Sequence, residues 1–277
     1  MTLEELLPGE DYRFQFRFER SEPREFFKPT SNSEGLLAES RHWLEAAPER
    51  YAALLPQGRP LLEETIELAR RWEIIDRGFP SVPTDPQQSL AHCLALGGAL
   101  EPDFLLLKPE ASGVPHLFGG VVCFPSSWSL EEKIGKPITA IHGVVPGLND
   151  ALGSQINGFL AKLRPGVAWL RNNWGLSRCA ELNQHPVRKL SRLDPLVRPD
   201  EVWLRVEQQA LVALPRTGGI LFGIRISNYV LSEILKDQVV SERLARALKT
   251  MPADVAAYKG LAAAKECLLA FLQFRSG

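Results

Sequence analysis

The run LRVEQQALVALPRTGGILFGIRI, residues 204 to 226, constrains the fold more than any other stretch of the chain. Two apolar segments, Val202 to Leu214 and Gly219 to Ser227, flank PRTG, a turn that places glycine where a positive φ is wanted. Strands joined this tightly are antiparallel, because a parallel return needs a crossover of about a dozen residues or more. A long hairpin near the end of the chain is therefore expected.

Three further segments carry strand character. DFLLLK (103 to 108) and HLFGGVVCF (116 to 124) are joined by the turn-like PEASGVP, and AWLRNNWGL (168 to 176) follows later. Helices are expected from about Ser129, an N-cap with Glu131 and Glu132 in the first turn, and from Leu148 to Leu163. Five strands with helices between the second and third predict an α+β antiparallel domain and not a doubly wound sheet, which needs more strand-helix alternation.

The flanks of this domain read as mostly helical. In DYRFQFRFER, Tyr12, Phe14, Phe16 and Phe18 alternate with polar residues, the period of a half-buried strand or extended arm. Core packing is a better use of these rings than clamping a nucleic-acid base, since no basic cluster surrounds them. Helical periodicity runs from Ser33 to Trp72, divided by Pro48, Pro56 and Pro60, and the turn-rich residues 76 to 88 form a connector. Residues 1–86 thus read as an arm and helical extension, and 87–277 as the sheet domain, closed by helices at Val240 to Lys249 and Gly260 to Phe274.

Bulk properties remove several function classes. Thirty-two basic against thirty-three acidic residues leave a net charge of -1, so nothing global favours nucleic acid or an anionic membrane. The start carries no secretory pattern and no segment reaches the roughly 18 apolar residues of a membrane span, a profile that reads as cytoplasmic. Cys93, Cys123, Cys179 and Cys267 are scattered singly, without the pairing that seeds a zinc site, an iron–sulfur cluster or a redox dithiol. The P-loop, dinucleotide, nucleophile-elbow and zincin motifs are missing as well.

What remains is a short list of polar candidates. His142 stands in AIHGVVPG, where Ile141, Val144 and Val145 are expected to be buried and Gly143 allows close backbone approach. Such an imidazole is either a hydrogen-bonded core residue or a ligand. His92 lies on a short helix, His185 in a loop before Pro186, and His42 and His116 in polar or turn contexts. In WLRNNW, alternation puts Trp169, Arg171 and Asn173 on one side of a strand. Arg205, Glu207 and Gln209 share a face of the hairpin, with Arg225 expected to oppose them as a charge ladder.

Four blocks, taken together, carry a resemblance. FPSSWSLEEKIGKPITAIHGVVPGL, RNNW, LRVEQQALVALPRTGGILFGIRISNY and MPADVAAYKG occur in the order and at the spacing of the haem-dependent oxidative N-demethylase alpha-subunit-like family. The resemblance covers about Gln87 to Tyr258. It implies a haem-binding PAS-like domain, a five-stranded antiparallel sheet with flanking helices. It also implies haem b as cofactor, dioxygen activation at iron, and loss of a methyl group as formaldehyde from a small secondary amine such as dimethylamine. Electrons would come from NADPH through separate flavin and iron–sulfur proteins, for which this chain carries no motif of its own. A non-catalytic haem, gas-sensing or ligand-binding module is the alternative that the same resemblance leaves open.

By that resemblance His142 is the expected haem ligand, with His92 in reserve. Arg171, Asn173, Arg205 and Arg225 are expected to pair haem propionates or polarise bound oxygen, since guanidinium offers a permanent charge and a planar fork. Asp103 is the expected carboxylate for an ammonium substrate. Two places depart from the family's pattern. The strand motif RxERQTL reads RVEQQAL here, with Gln208 and Ala210 in place of arginine and threonine, and Pro102 stands where a glutamate is common.

Overall fold

The computed structural model describes residues 2–273. Its centre is one antiparallel sheet of seven strands: β1 (Glu19–Ser21), β2 (Ala52–Leu54), β3 (Asp103–Pro109), β4 (Pro115–Val121), β5 (Ala168–Ser177), β6 (Trp203–Ala213) and β7 (Ile220–Val230). Their order across the sheet is β1-β5-β6-β7-β3-β4-β2. The hairpin of β6 and β7 sits in the middle, in register from Trp203 opposite Val230 to Ala213 opposite Ile220. Gly218 in its turn has φ +68°.

The sheet has seven strands where the sequence suggested five. Both additions are three-residue edge strands from the N-terminal region, β1 against β5 and β2 against β4. Neither is long enough to show a period of two, and β2 lies inside a stretch with helical periodicity. The aromatic arm before β1 is extended but unpaired. Phe18 stacks on Phe159 with centroids 4.1 Å apart, and Phe16 meets both rings edge-on.

Another difference concerns the helix expected at Ser129. A single turn forms there, with Lys133 and Ile134 N–H both donating to the Leu130 carbonyl, and it stops at Gly135 (φ +78°). Gly135 N–H donates instead to Leu117 O on β4, at 2.7 Å, and Pro137 cannot continue a ladder. The helix proper is Ile138–His142, one turn long, followed by Leu148–Leu160. The last helix is Lys265–Gln273 and begins after Gly260 (φ +70°); Phe274 falls outside the described residues.

The two faces of the sheet meet different fates. On the rear face the N-terminal segment packs tightly: a Cβ on Gly223 of β7 would stand 2.6 Å from Phe26 and 2.8 Å from Phe27. Arg225, next on that face, pairs with buried Glu101 and donates to the carbonyls of Phe26 (2.7 Å) and Lys28 (3.2 Å). The C-terminal helices Gln238–Thr250 and Lys265–Gln273 cover the same face further along, over Leu176, Leu204 and Val206. The front face is covered at one end by Leu148–Leu160, whose Phe159 meets Trp169 edge-on at 5.5 Å. Its remainder is open.

The hairpin turn depends on a buried acid from the N-terminal region. Glu64, in helix Arg59–Arg71, is 2% exposed. Its carboxylate accepts from Arg216 N at 2.6 Å, Thr217 N at 2.9 Å and Thr217 Oγ1 at 2.5 Å. Removing this buried carboxylate takes the acceptor from three donors at once. Glu64→Ala is therefore expected to lower unfolding stability by about 2–3 kcal/mol in urea titrations. A change within about 0.5 kcal/mol would show that the turn is held by something else.

Candidate functional site

Strand alternation assembles the polar residues of the open face. Arg171 lies opposite Gln209, Asn173 opposite Glu207 and Gly175 opposite Arg205, so all of these residues share the front face. Ile224 and Asp103, paired across β7 and β3, continue it. Arg225 does not belong to this set. The hairpin register places it opposite Gln208, on the rear face, so the expected ladder with Arg205, Glu207 and Gln209 does not form.

Above this face lies a cleft of about 680 Å³. Its floor includes Arg205, Glu207 and Gln209 from β6, Asn173 from β5, and Phe222 and Ile224 from β7. One wall is the 126 to 145 segment, with Ile141, His142 and Val145. The opposite wall runs from Cys179 to Leu193, and Tyr258 and Lys259 close the end. Every one of the four sequence blocks therefore lines a single cavity.

His142 ends its one-turn helix with its ring half-buried in this cleft, and neither ring nitrogen has a hydrogen-bond partner among the described residues. Burial, and then the nearby Arg171 cation, lower its pKa, so the imidazole is neutral at pH 7. Ile141 and Val145 are half-buried beside it, but Val144, expected inside, is 52% exposed at the cleft mouth.

Arg171 also stands apart from ordinary pairing. It makes no ion pair or hydrogen bond among the described residues, its Nε is buried without a partner, and its nearest ring is Phe18, 5.9 Å from the guanidinium carbon. Burial lowers its pKa and Glu207 opposes the shift. A guanidinium left in this way is an incomplete anion site.

Glu207 is the acid of the cleft. Its Oε2 accepts from Gln209 Nε2 at 2.9 Å and more weakly from Asn173 Nδ2 at 3.5 Å, neither of which takes Oε1, and the residue lines the cleft. Lys259, anchored by donating to Trp174 O at 2.7 Å, has its pKa lowered by burial and partly restored by Glu207. Sequence reasoning passed over both residues. A lone lysine in AAYKG carries no periodic signal, and Glu207 read as part of a structural ladder.

Asp103 and Arg205 hold the walls and do not face a ligand. Each Asp103 oxygen accepts a backbone N–H, Cys123 at one and Phe124 at the other, both at 2.8 Å. That capture pulls residues 122 to 124 out of β4, which ends at Val121, short of the expected Phe124. Arg205, 3% exposed, donates to Ser126 Oγ (2.7 Å), Phe124 O (2.8 Å), Leu182 O (2.7 Å) and Glu181 O (3.2 Å). Its fork is filled by protein oxygens, so it stitches both walls of the cleft to the floor.

A second histidine lines the cleft but is spent. His185, 4% exposed, accepts from Val187 N at Nδ1 (3.2 Å), and its Nε2 faces Glu131 at 3.3 Å. His92, in helix Pro86–Gly97, is tied to Gln88 O at 2.8 Å and lies outside the cleft lining. Among the described residues no cluster of three or more His, Cys, Asp or Glu could hold a bare metal ion, and no helix is long and apolar enough to cross a membrane.

Burial pushes the Asp103 carboxyl up to about 7, against the pull of its two backbone N–H donors and Arg205. A folded-state pKa above the unfolded value of 3.8 means that the folded chain holds the extra proton between these two pH values. Stability contributed by this group is thus full below about pH 4 and declines as pH rises towards 7, by on the order of a few kcal/mol. Asp103→Asn should remove that component: the difference in unfolding free energy between wild type and variant should change between pH 4 and pH 7. A constant difference would place the Asp103 pKa near its ordinary value.

Residues 39–269 match the family model described as haem-dependent oxidative N-demethylase, alpha subunit-like. The match begins well before Gln87 and so takes in the helical N-terminal segment that supplies β2 and the Glu64 clamp. By the extent of this match, the chain belongs to the haem-dependent oxidative N-demethylase alpha-subunit-like family.

Proposed function

We propose that the cleft binds haem b and that the chain is the haem-carrying component of an oxidative N-demethylase acting on a small secondary amine. The observation that carries this reading is the pair formed by His142 and Arg171. A neutral imidazole without a hydrogen-bond partner among the described residues lines the cleft, and a half-buried guanidinium in no ion pair among them, its Nε buried without a partner, lies close enough to lower its pKa. Haem asks for this combination, a nitrogen donor for iron and a cation for a propionate. The cleft volume falls within the roughly 300–1,000 Å³ of cofactor pockets.

In this reading His142 is the iron ligand and Arg171 the propionate partner. Bound haem would supply an iron centre for dioxygen chemistry, with the methyl group leaving as formaldehyde. Glu207, through Oε1, accepts the N–H of the ammonium substrate, and Asn173 and Gln209 fix that carboxylate by holding Oε2. Asp103 and Arg205 act as positioning residues behind it. Strands β3 to β7, with first and last paired at the centre, support a PAS-like description of the sheet, to which β1 and β2 are edge additions. Electrons come from a separate reductase, and the cytoplasm is the setting.

Departures from the family's strand pattern bear on catalysis less than their number suggests. Gln208 and Ala210 lie opposite Arg225 and Gly223 and so belong to the rear face. The positions that match the family's pattern, Arg205, Glu207, Gln209 and Leu211, all point to the front. The chemistry-bearing side of the motif is intact.

Haem titration tests the reading. Addition of hemin to the purified chain is expected to give a Soret band with one-to-one stoichiometry. His142→Ala should shift that band or weaken binding at least tenfold, and Arg171→Met should weaken it by about 10–100-fold, the worth of a charge-assisted pair. Saturable haem binding with an unchanged spectrum in His142→Ala would reject the ligand assignment, and no Soret band at all would reject the function. Formaldehyde release from dimethylamine in the presence of a reductase separates a demethylase from a haem sensor.

A further inference from the structure

The mouth of the cleft differs in character from its floor. Three of the cations lining it, Lys133, Lys189 and Arg192, make no ion pair among the described residues; Lys189 and Arg192 are exposed and Lys133 half-buried. Glu132 is the one exposed acid of the lining. The acids of the adjoining loop are already engaged, Asp194 by Arg178, Glu181 by Arg188 and Asp200 by Arg198. Beside Glu132 the exposed Glu131 meets His185, so against these three cations the opening of a chain with net charge -1 carries a small surplus of positive charge.

Apolar surface gathers at the same place. Two of the six exposed large hydrophobic residues, Val144 (52%) and Tyr258 (49%), line the cleft itself. Lys189 holds a left-handed backbone (φ +47°, ψ 42°), a conformation that costs a non-glycine residue free energy, just after the short turn Pro186–Arg188. Apolar anchors beside charge are the anatomy of a protein interface, whereas nucleic acid and lipid headgroups would engage the cations without needing Val144 or Tyr258.

We propose that this mouth is the docking face for an acidic electron-transfer protein, which seats an apolar patch on Val144 and Tyr258 and faces Lys189 and Arg192 with carboxylates. The identity of the occupant rests on the haem reading, because only a redox group in the cleft makes its mouth the place to deliver electrons. The surface itself does not. Complementary charge of this kind speeds encounter and makes binding sensitive to salt.

The test uses an acidic plant-type [2Fe–2S] ferredoxin as probe, with the full chain, by calorimetry at low and high salt. Binding is expected at low salt, weakened as salt rises, and weakened about tenfold or more in the double variant Lys189→Glu, Arg192→Glu. Val144→Ser should weaken it without changing the salt slope, and Lys28→Glu, on the segment packed against the rear face and outside the cleft lining, should leave it unchanged. Circular dichroism confirms that the variants are folded, and Lys189→Gln with Arg192→Gln gives a milder version of the same loss. Failure of ferredoxin to bind, equal binding by the double charge-reversed chain, equal binding of a basic cytochrome, or tighter binding of a DNA oligonucleotide or anionic vesicles would each overturn the proposal. The binding measurement needs no haem, so a missing Soret band would reject the functional reading without deciding this one, and a Soret band without ferredoxin binding would do the reverse.

Discussion

The cleft exists because Arg205 is buried with its fork filled. One side chain on the central hairpin donates to Phe124 and Ser126 on one wall and to Glu181 and Leu182 on the other. The stretches it grips, 124–126 and 181–182, lie outside the helices and named strands, so removing this guanidinium would leave four of their oxygens without this donor, with Asp103 and the backbone hydrogen bonds of Gln184 to Pro125 and Ser127 still in place. Burial lowers the Arg205 pKa to about 10, still far above neutrality, so the charge that makes these bonds strong is retained. Asp103 completes the arrangement from the next strand but one, taking the N–H groups of Cys123 and Phe124 while Arg205 takes the Phe124 carbonyl. The same short segment is gripped through both its donors and its acceptors.

With the walls fixed, the electrostatics of the interior follow from a short row of charges. Arg171 depresses His142, Glu207 steadies Arg171 and Lys259, and Asn173 and Gln209 steady Glu207. Beside the half-buried Arg171 and the buried Arg205, neither in an ion pair among the described residues, stand Glu207 and Asp103, and burial pushes the Asp103 carboxyl up to about 7, so this side of the sheet is short of negative charge. A ligand that brings carboxylates relieves this deficit, and one that brings only positive charge must sit at Glu207. In the proposed function, haem propionates and a small ammonium substrate would divide these roles between them.

How much of this could be read from the residues depends on the length scale of each signal. The hairpin was legible because two eleven-residue strands flank a turn of recognisable chemistry, and the open-face partnership of Arg171 with Asn173 followed from alternation alone. Strands β1 and β2 were not legible, since three residues pair there only because β5 and β4 present an edge. The helix expected at Ser129 failed for a tertiary reason: the Gly135 N–H found Leu117 O before a second turn could form. Arg225 and Asp103 were read as ligand contacts because their residue types suit that role. Their partners, Glu101 and the 123–124 backbone, lie far away in sequence, and spacing carries no information about them.

The sheet also separates what can vary from what cannot. Each strand of the hairpin presents alternate residues to two environments, one gripped by N-terminal and C-terminal helices and one facing the cleft. At position 208 an arginine would lie directly opposite Arg225, which already spends its charge on Glu101, and glutamine removes that like-charge pair. Ala210 faces Gly223, the residue against which Phe26 and Phe27 close, where a larger side chain would press on two rings. Both departures from the family's pattern are thus accommodated by how this chain packs its own N-terminal segment. Rear-face changes of this kind alter the support of the cleft while leaving the residues that line it in place.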